Sequence, residues 1–399
     1  MSALITIPEA VRVVVPGKFW DSQLYAGTLY LFGLSGELST LSWDKLVADL
    51  PVPDRLRVAA DFALLGNHRL YEPGARLLLS DPDIRLLLQQ KFHELCAQSP
   101  WEALPADGSV DDNPLPFPHN DSEVHYSNLY VGASEGLFCL EMAGAREDGR
   151  CLSEVPTFNI AAKYQTIAQA AGSAGLFAVR IGNDPRTPDQ HPSDSQTQVS
   201  ELPCMTCEWA TSSIIAAGFN NNVYVAMYES SNRPNDRLGN RRPERTFHSI
   251  ISESDIYGED PQRPRGFIWG AGDKILRFGD DRVEVVQYGR NKRKEPTFSI
   301  KGNIPLDNSE IGESIVSARV ASFGSVIERD DGLFVMLTTG DSLSLPGEPT
   351  NWRVFPRSRN YLNHLHIIYS DRLEVWAFTH DYFVDQEAKL EGLNAAASD

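Results

Sequence analysis

Asn128–Glu141 reads NLYVGASEGLFCLE, two short runs of Leu, Tyr, Val and Phe joined by the small polar turn Ala-Ser-Glu-Gly. Apolar runs of this length, bounded by turn residues, form a β-hairpin. The same wording returns at Leu24–Trp43, Ile167–Ile181, Ser213–Tyr228, Phe267–Tyr288, Ala321–Leu337 and His364–Phe378, making seven copies. Taking one turn residue from each (Ser35, Glu135, Ala174, Asn221, Gly272, Asp331, Ser370), the spacings are 100, 39, 47, 51, 59 and 39. A period of about 40 to 50 residues built of strands is the mark of a propeller array, whose sheets bury their faces against neighbouring blades. The triplet Gly-Leu-Phe follows three of the turns, at Gly136–Phe138, Gly175–Phe177 and Gly332–Phe334. Identical wording at matched positions argues for repeats rather than unrelated hairpins.

The 100-residue gap breaks the period and holds DPDIRLLLQQKFHELCAQ, the best helical text in the chain. Ser80 or Asp81 caps it and Pro82 takes the first helical position, so a helix is predicted over 82–98. Ile84, Leu87, Leu88 and Leu95 share one face and Leu86, Gln90 and His93 another. Phe62–Glu72 (FALLGNHRLYE) reads as the outer part of an elaborated blade, with a degenerate hairpin as the other reading. Ser99–Glu123, with five prolines and six acidic residues, and the polar Asp184–Pro203 read as loops. An open array would leave bare strand edges. Ile5–Val15 (ITIPEAVRVVV) has no hairpin partner of its own and is expected to complete the last repeat. The expectation is one all-β, seven-bladed β-propeller over 1–385, closed by this N-terminal strand. A helical and proline-rich insertion covers 44–123, and a flexible tail covers 386–399.

NLYVGASEGLFCLE and FIWGAGDKILRFGDDRVEVVQY resemble blades of WD-repeat-like and sensor-type β-propellers, over roughly two thirds of the chain. The blades lack the Gly-His opening and Trp-Asp closing of that family, apart from Trp43-Asp44. The resemblance implies a disc with a central channel and loop-built faces that serves as a protein-interaction platform.

The 399 residues carry 36 basic and 54 acidic side chains, a formal charge of −18. Such a chain repels phosphate backbones and anionic membranes. No apolar run approaches the length of a membrane helix, the N-terminus lacks a signal-peptide pattern, and five cysteines are too few for a disulfide scaffold. These features lead to a cytoplasmic expectation.

The basic residues cluster in two segments read as loops: Arg233, Arg237, Arg241, Arg242 and Arg245, then Arg290, Lys292, Arg293 and Lys294. On an acidic chain they form local positive surfaces for a protein partner, or less readily for nucleic acid. Trp101 stands in a proline-rich stretch after the helix, either tucked against the propeller or serving as an interface anchor. Cys204-Met-Thr-Cys207 has metal-ligand spacing, and His364 and His366 share a strand face. The bland reading, buried thiols and hydrogen-bonded imidazoles, outweighs a four-ligand metal site. No P-loop, nucleophile elbow or His-Glu-x-x-His helix occurs. Glu123, His125, Asp255, Glu328 and Asp330 are candidates for a channel-centred hydrolase or lyase acting on a carbohydrate or other small molecule. The sequence favours a non-enzymatic scaffold or recognition subunit without a cofactor, binding proteins through loop faces and the insertion. The hydrolase or lyase is the alternative, and a nucleic-acid accessory subunit the third.

Overall fold

The structure is a computed structural model. It describes residues 10–65, 73–103, 109–142, 149–181, 196–210, 212–219, 222–234, 241–257, 267–271, 274–278, 282–291, 295–305, 315–338, 341–358 and 360–378. They form two compact units, one drawn from 1–112 and 316–399, the other from 113–315. Strand alternation decides the sheets. Along β1 (Ala10–Pro16), Val11, Val13 and Val15 are fully buried and Arg12 and Val14 half-buried, because successive side chains point to opposite faces.

In the first unit, β2 (Phe19–Tyr25), β3 (Thr28–Gly33), β4 (Leu38–Ser42) and β6 (Ser109–Asp111) form one sheet. A second is made by β23 (Ile315–Ala321), β24 (Gly324–Arg329), β25 (Gly332–Leu337) and β26 (Ser342–Pro346). The third joins β27 (Asn351–Val354), β28 (His364–Ile368) and β29 (Arg372–Phe378) to β1 and β5 (Trp101–Glu102). As expected, β1 supplies the strand the last repeat lacks, pairing antiparallel with β29 from Ala10↔Phe378 to Pro16↔Arg372. The fifth strand was not expected: β5 runs parallel to β1, with Val13 opposite Trp101, and the Ala103 N–H donates to the Val14 carbonyl at 2.8 Å.

The second unit holds four sheets of four strands each. They are β7 (Asp121–His125), β8 (Asn128–Ala133), β9 (Gly136–Glu141) and β10 (Arg150–Ser153); then β11 (Asn159–Lys163), β12 (Thr166–Ala170), β13 (Leu176–Arg180) and β14 (Gln196–Ser200). The third comprises β15 (Thr206–Trp209), β16 (Ser213–Ala217), β17 (Val223–Pro234) and β18 (Arg241–Ser252). The fourth comprises β19 (Ile268–Ala271), β20 (Lys274–Phe278), β21 (Arg282–Arg290) and β22 (Pro296–Pro305). With three sheets in one unit and four in the other, the chain is a seven-bladed β-propeller.

The cores lie between consecutive sheets. Leu137, Ile160, Ile167 and Val179 join the first two sheets of the second unit, and Ile215, Val225, Ile275 and Val286 join the last two. Each such side chain contributes about 1.5–3 kcal/mol on burial. The recurring Gly-Leu-Phe has a geometric cause. Gly136, Gly175 and Gly332 have φ of +140°, +97° and +146°, and a Cβ there would fall 2.0, 2.0 and 2.3 Å from the carbonyl oxygens of Ser153, Ser200 and Leu345. Glycine lets the third strand of each blade start against the backbone of the fourth, and the following Leu137, Leu176 and Leu333 are buried.

Several loop readings are corrected. Phe62–Leu64 ends a helix, Asp54–Leu64, and is not part of a strand pair; residues 66–72 lie outside the described set. Leu56, Ala59, Ala60, Ala63 and Leu64 line its buried face, a helical spacing that a short apolar run does not separate from a strand. Ser99–Glu123 contains β5, β6 and the start of β7, and β6 is the outer strand of the first blade, reached only after the insertion (Ser39↔Val110). Gln196–Ser200, inside the segment read as a polar loop, is β14 and pairs with β13. The first basic segment is largely strand: β17 and β18 pair out to Arg233↔Arg242 and Pro234↔Arg241. Arg290 likewise ends β21, opposite Pro296. Backbone pairing overrides local polarity at these sheet edges. The tail 386–399 lies outside the described residues.

Candidate interaction surface

The insertion between β4 and β6 contains four described helices: α1 (Trp43–Ala48), α2 (Asp54–Leu64), α3 (Pro73–Leu79) and α4 (Pro82–Gln98). The last matches the sequence expectation at both ends, with the Asp81 carboxylate accepting from the Asp83 N–H at 2.8 Å. Ser42 caps α1, and the Trp43 indole N–H donates to the Leu64 carbonyl at 2.8 Å, tying α1 to the end of α2. The Arg57 guanidinium donates to the carbonyls of Val47, Leu50 and Val52 at 2.9, 2.8 and 3.2 Å, satisfying acceptors at the end of α1 and beyond it. Leu88, Phe92 and Leu95 seat α4 in a core shared with α2, β1 and β29.

That seat is narrower than the sequence implies. Ile84 and Leu87, which share a face with Leu88 and Leu95 in the sequence pattern, are 37% and 56% exposed, and Leu77, Leu78 and Leu86 are 75%, 59% and 55% exposed. Five exposed aliphatic side chains thus fall within eleven residues of chain, on two successive helices. Scattered single apolar residues are ordinary on a surface; their concentration on two successive helices is what singles out this stretch.

The residues singled out from the sequence take varied positions. Trp101 is tucked in: it is 9% exposed and belongs to the core shared with β1 and the insertion helices. Arg233, Arg241, Arg242 and Arg245 lie on β17 and β18, and the Arg245 guanidinium sits 4.4 Å from the Tyr164 ring centre. Arg237, Lys292, Arg293 and Lys294 lie outside the described residues, as do the side chains of Arg233, Arg241, Arg242 and Arg290. Cys204 and Cys207 are buried in the core between β11–β14 and β15–β18. Burial pushes the Cys204 thiol up to about 12 and raises Cys207 in the same direction, so neither is a ready thiolate. His364 and His366 are buried on β28 in the first unit. Among the described residues no three His, Cys, Asp or Glu side chains gather as a metal site.

Three of the candidate acids are held by local bonds. Glu123 accepts from the Ala162 N–H (2.7 Å). Glu328 accepts from the Ser317 hydroxyl (2.6 Å) and the Trp352 indole (2.9 Å). Asp255 accepts from the Ser252 hydroxyl and N–H, bonds that hold its carboxyl below the usual range. His125 ends β7, and Asp330 is exposed in the β24–β25 turn.

Sequence reasoning missed a pair of buried joints. Asp21-Ser22 on β2 and Asp121-Ser122 on β7 each stand eight residues before a Leu-Tyr pair on the next strand (Leu29-Tyr30, Leu129-Tyr130). Asp121 accepts from the Asn159 amide (2.6 Å) and the Ile160 N–H (3.0 Å) of β11, and Asn159 passes the link to the Cys207 N–H (2.8 Å) of β15. Asp21 pairs with Arg353 of β27, whose Nη2 donates at 2.6 Å, and Ser22 bonds His366 Nδ1 at 3.0 Å. These carboxylates stitch one blade to the next. Each is buried and bonded within the fold.

Blades of antiparallel meanders, the last closed by β1, define a β-propeller. No protein-family model matches the sequence, and no curated protein matches it. Among solved structures it is similar to BBS1N, crystallised in complex with ARL6DN, at 8% identity and TM-score 0.47, covering 94% of this chain and 98% of that one. The Neurospora crassa Pan2 WD40 domain is similar at 10% identity and TM-score 0.43, covering 91% and 90%. The N-terminal domain of Nup159 follows at 9% and 0.43, covering 94% of both chains. These likenesses concern the fold alone.

Proposed function

We propose that the protein is a non-enzymatic interaction subunit that binds protein partners, with the helical insertion as its main docking element. The exposed aliphatic group Leu77, Leu78, Ile84, Leu86 and Leu87 carries this reading. A rigid blade scaffold beneath it reduces the ordering cost of binding. The basic segments around Arg233–Arg245 and Arg290–Lys294 are a second, cationic contact surface for an acidic partner region. The engagement of Glu123, Asp255 and Glu328 in structural bonds supports a binding role over catalysis. No helix among the described residues is long and apolar enough to cross a membrane, and the working location is the cytoplasm.

The test is affinity capture from the native lysate with wild type and with Leu78→Gln/Leu87→Gln, at low and high salt. A stoichiometric protein that the wild type retains and the variant loses is the expected result. Bare protein from both sinks the reading.

A further inference from the structure

We infer that the aliphatic patch of the insertion receives an amphipathic α-helix of a partner protein whose flanks carry lysine or arginine. This rests on the interaction-subunit reading and names the partner's chemistry. The patch is preformed. The Ser80 hydroxyl donates to the Leu77 carbonyl at 2.6 Å and the Asp81 N–H to the Leu78 carbonyl at 3.1 Å, fixing the corner between α3 and α4. Leu77 and Leu78 flank that corner on one side, Ile84 and Leu87 on the other. Ile84 and Leu87 are one helical turn apart, the spacing at which a docked helix repeats its own apolar anchors.

Charge decides what kind of helix. Along the chain, the exposed carboxylates Asp81 and Asp83 stand between the two halves of the patch. Among the described side chains, the nearby cations already have partners. Arg55 and Lys91 both pair with Glu94, Arg57 is taken by carbonyls, and half-buried Arg85 is engaged within the chain. An incoming surface therefore meets leucine and isoleucine edged by carboxylates, on a chain of formal charge −18. A second copy would bring the same carboxylates and the same net charge against it, and an anionic membrane or acidic helix would be repelled in the same way.

The probe is a short synthetic Leu/Lys helix with leucines at i, i+3, i+4 and i+7, titrated against the full chain by fluorescence anisotropy. A Leu/Glu helix of the same leucine spacing and a scrambled Leu/Lys peptide serve as controls. The Leu/Lys helix is expected to bind the wild type, and Leu78→Gln/Leu87→Gln to weaken it by more than tenfold, since both substitutions remove apolar burial at the contact. Asp81→Asn/Asp83→Asn, which keeps a capping side chain, is expected to weaken binding and flatten its salt dependence. Equal affinity for wild type and the leucine variant, or for the scrambled peptide, overturns the inference. So does a dimer, seen by sedimentation, that the leucine variant abolishes. If the peptide fails while a lysate partner still depends on Leu78 and Leu87, the interaction reading stands and the basic-helix inference falls alone.

Discussion

His364 shows how burial turns an ordinary side chain into a condition on the fold. Its ring is fully buried, with Nε2 3.3 Å from the Ala63 carbonyl of α2, and burial lowers its pKa to about 4. His366 moves the same way through burial, the neighbouring His364 and Arg353. A folded pKa below the unfolded value near 6.5 means that the unfolded chain binds the proton more readily. The stability from His364 is full above about pH 6.5 and drains as pH falls towards 4, amounting to about 2 kcal/mol between pH 7 and 5. Urea midpoints measured across that range should fall for the wild type and fall less for His364→Gln; parallel curves would refute the assignment. Glycine makes the complementary case. Gly136→Ala puts a methyl 2.0 Å from the Ser153 carbonyl at φ +140° and should cost about 2–4 kcal/mol. Gly302→Ala, where a Cβ meets nothing within 4 Å, should be close to neutral in the same denaturation assay.

At the scale of elements, what could be read depended on whether the signal was local. The α4 helix was legible because cap, proline and period all lie within its own residues, and the hairpins because each carries its own turn. The strands β5 and β6, of two and three residues, were not legible, since each exists only through a distant partner strand, β1 or β4. The patch on α4 was half legible: the apolar face could be drawn, but how much of it α2 leaves uncovered is a tertiary fact. Trp101 illustrates the outcome. As an interface anchor its loss would weaken partner binding with little effect on stability. Seated on β5 in the core, Trp101→Ala should instead cost about 3–5 kcal/mol in chemical denaturation. A variant as stable as wild type would restore the interface reading.

For the whole molecule, the repeat period and the unpaired N-terminal strand sufficed to place the blades and their closure. The buried joints did not show in advance. Asp21 with Arg353 and Asp121 with Asn159 are ordinary polar residues in the text and become linkers only when sheets are stacked. The pairing of β1 with β29 also sets an order in time. Ala10 pairs with Phe378, 368 residues later (378 − 10), and at about 5–20 residues per second a ribosome needs on the order of 20–70 s to make that stretch. Throughout that interval the valine-rich edge of β1 has no antiparallel partner to receive it. A strand translated well ahead of its partner is therefore among the last to find its place, and the nascent chain is open to chaperones, or to the β29 of another nascent chain, until synthesis of its own β29 is complete.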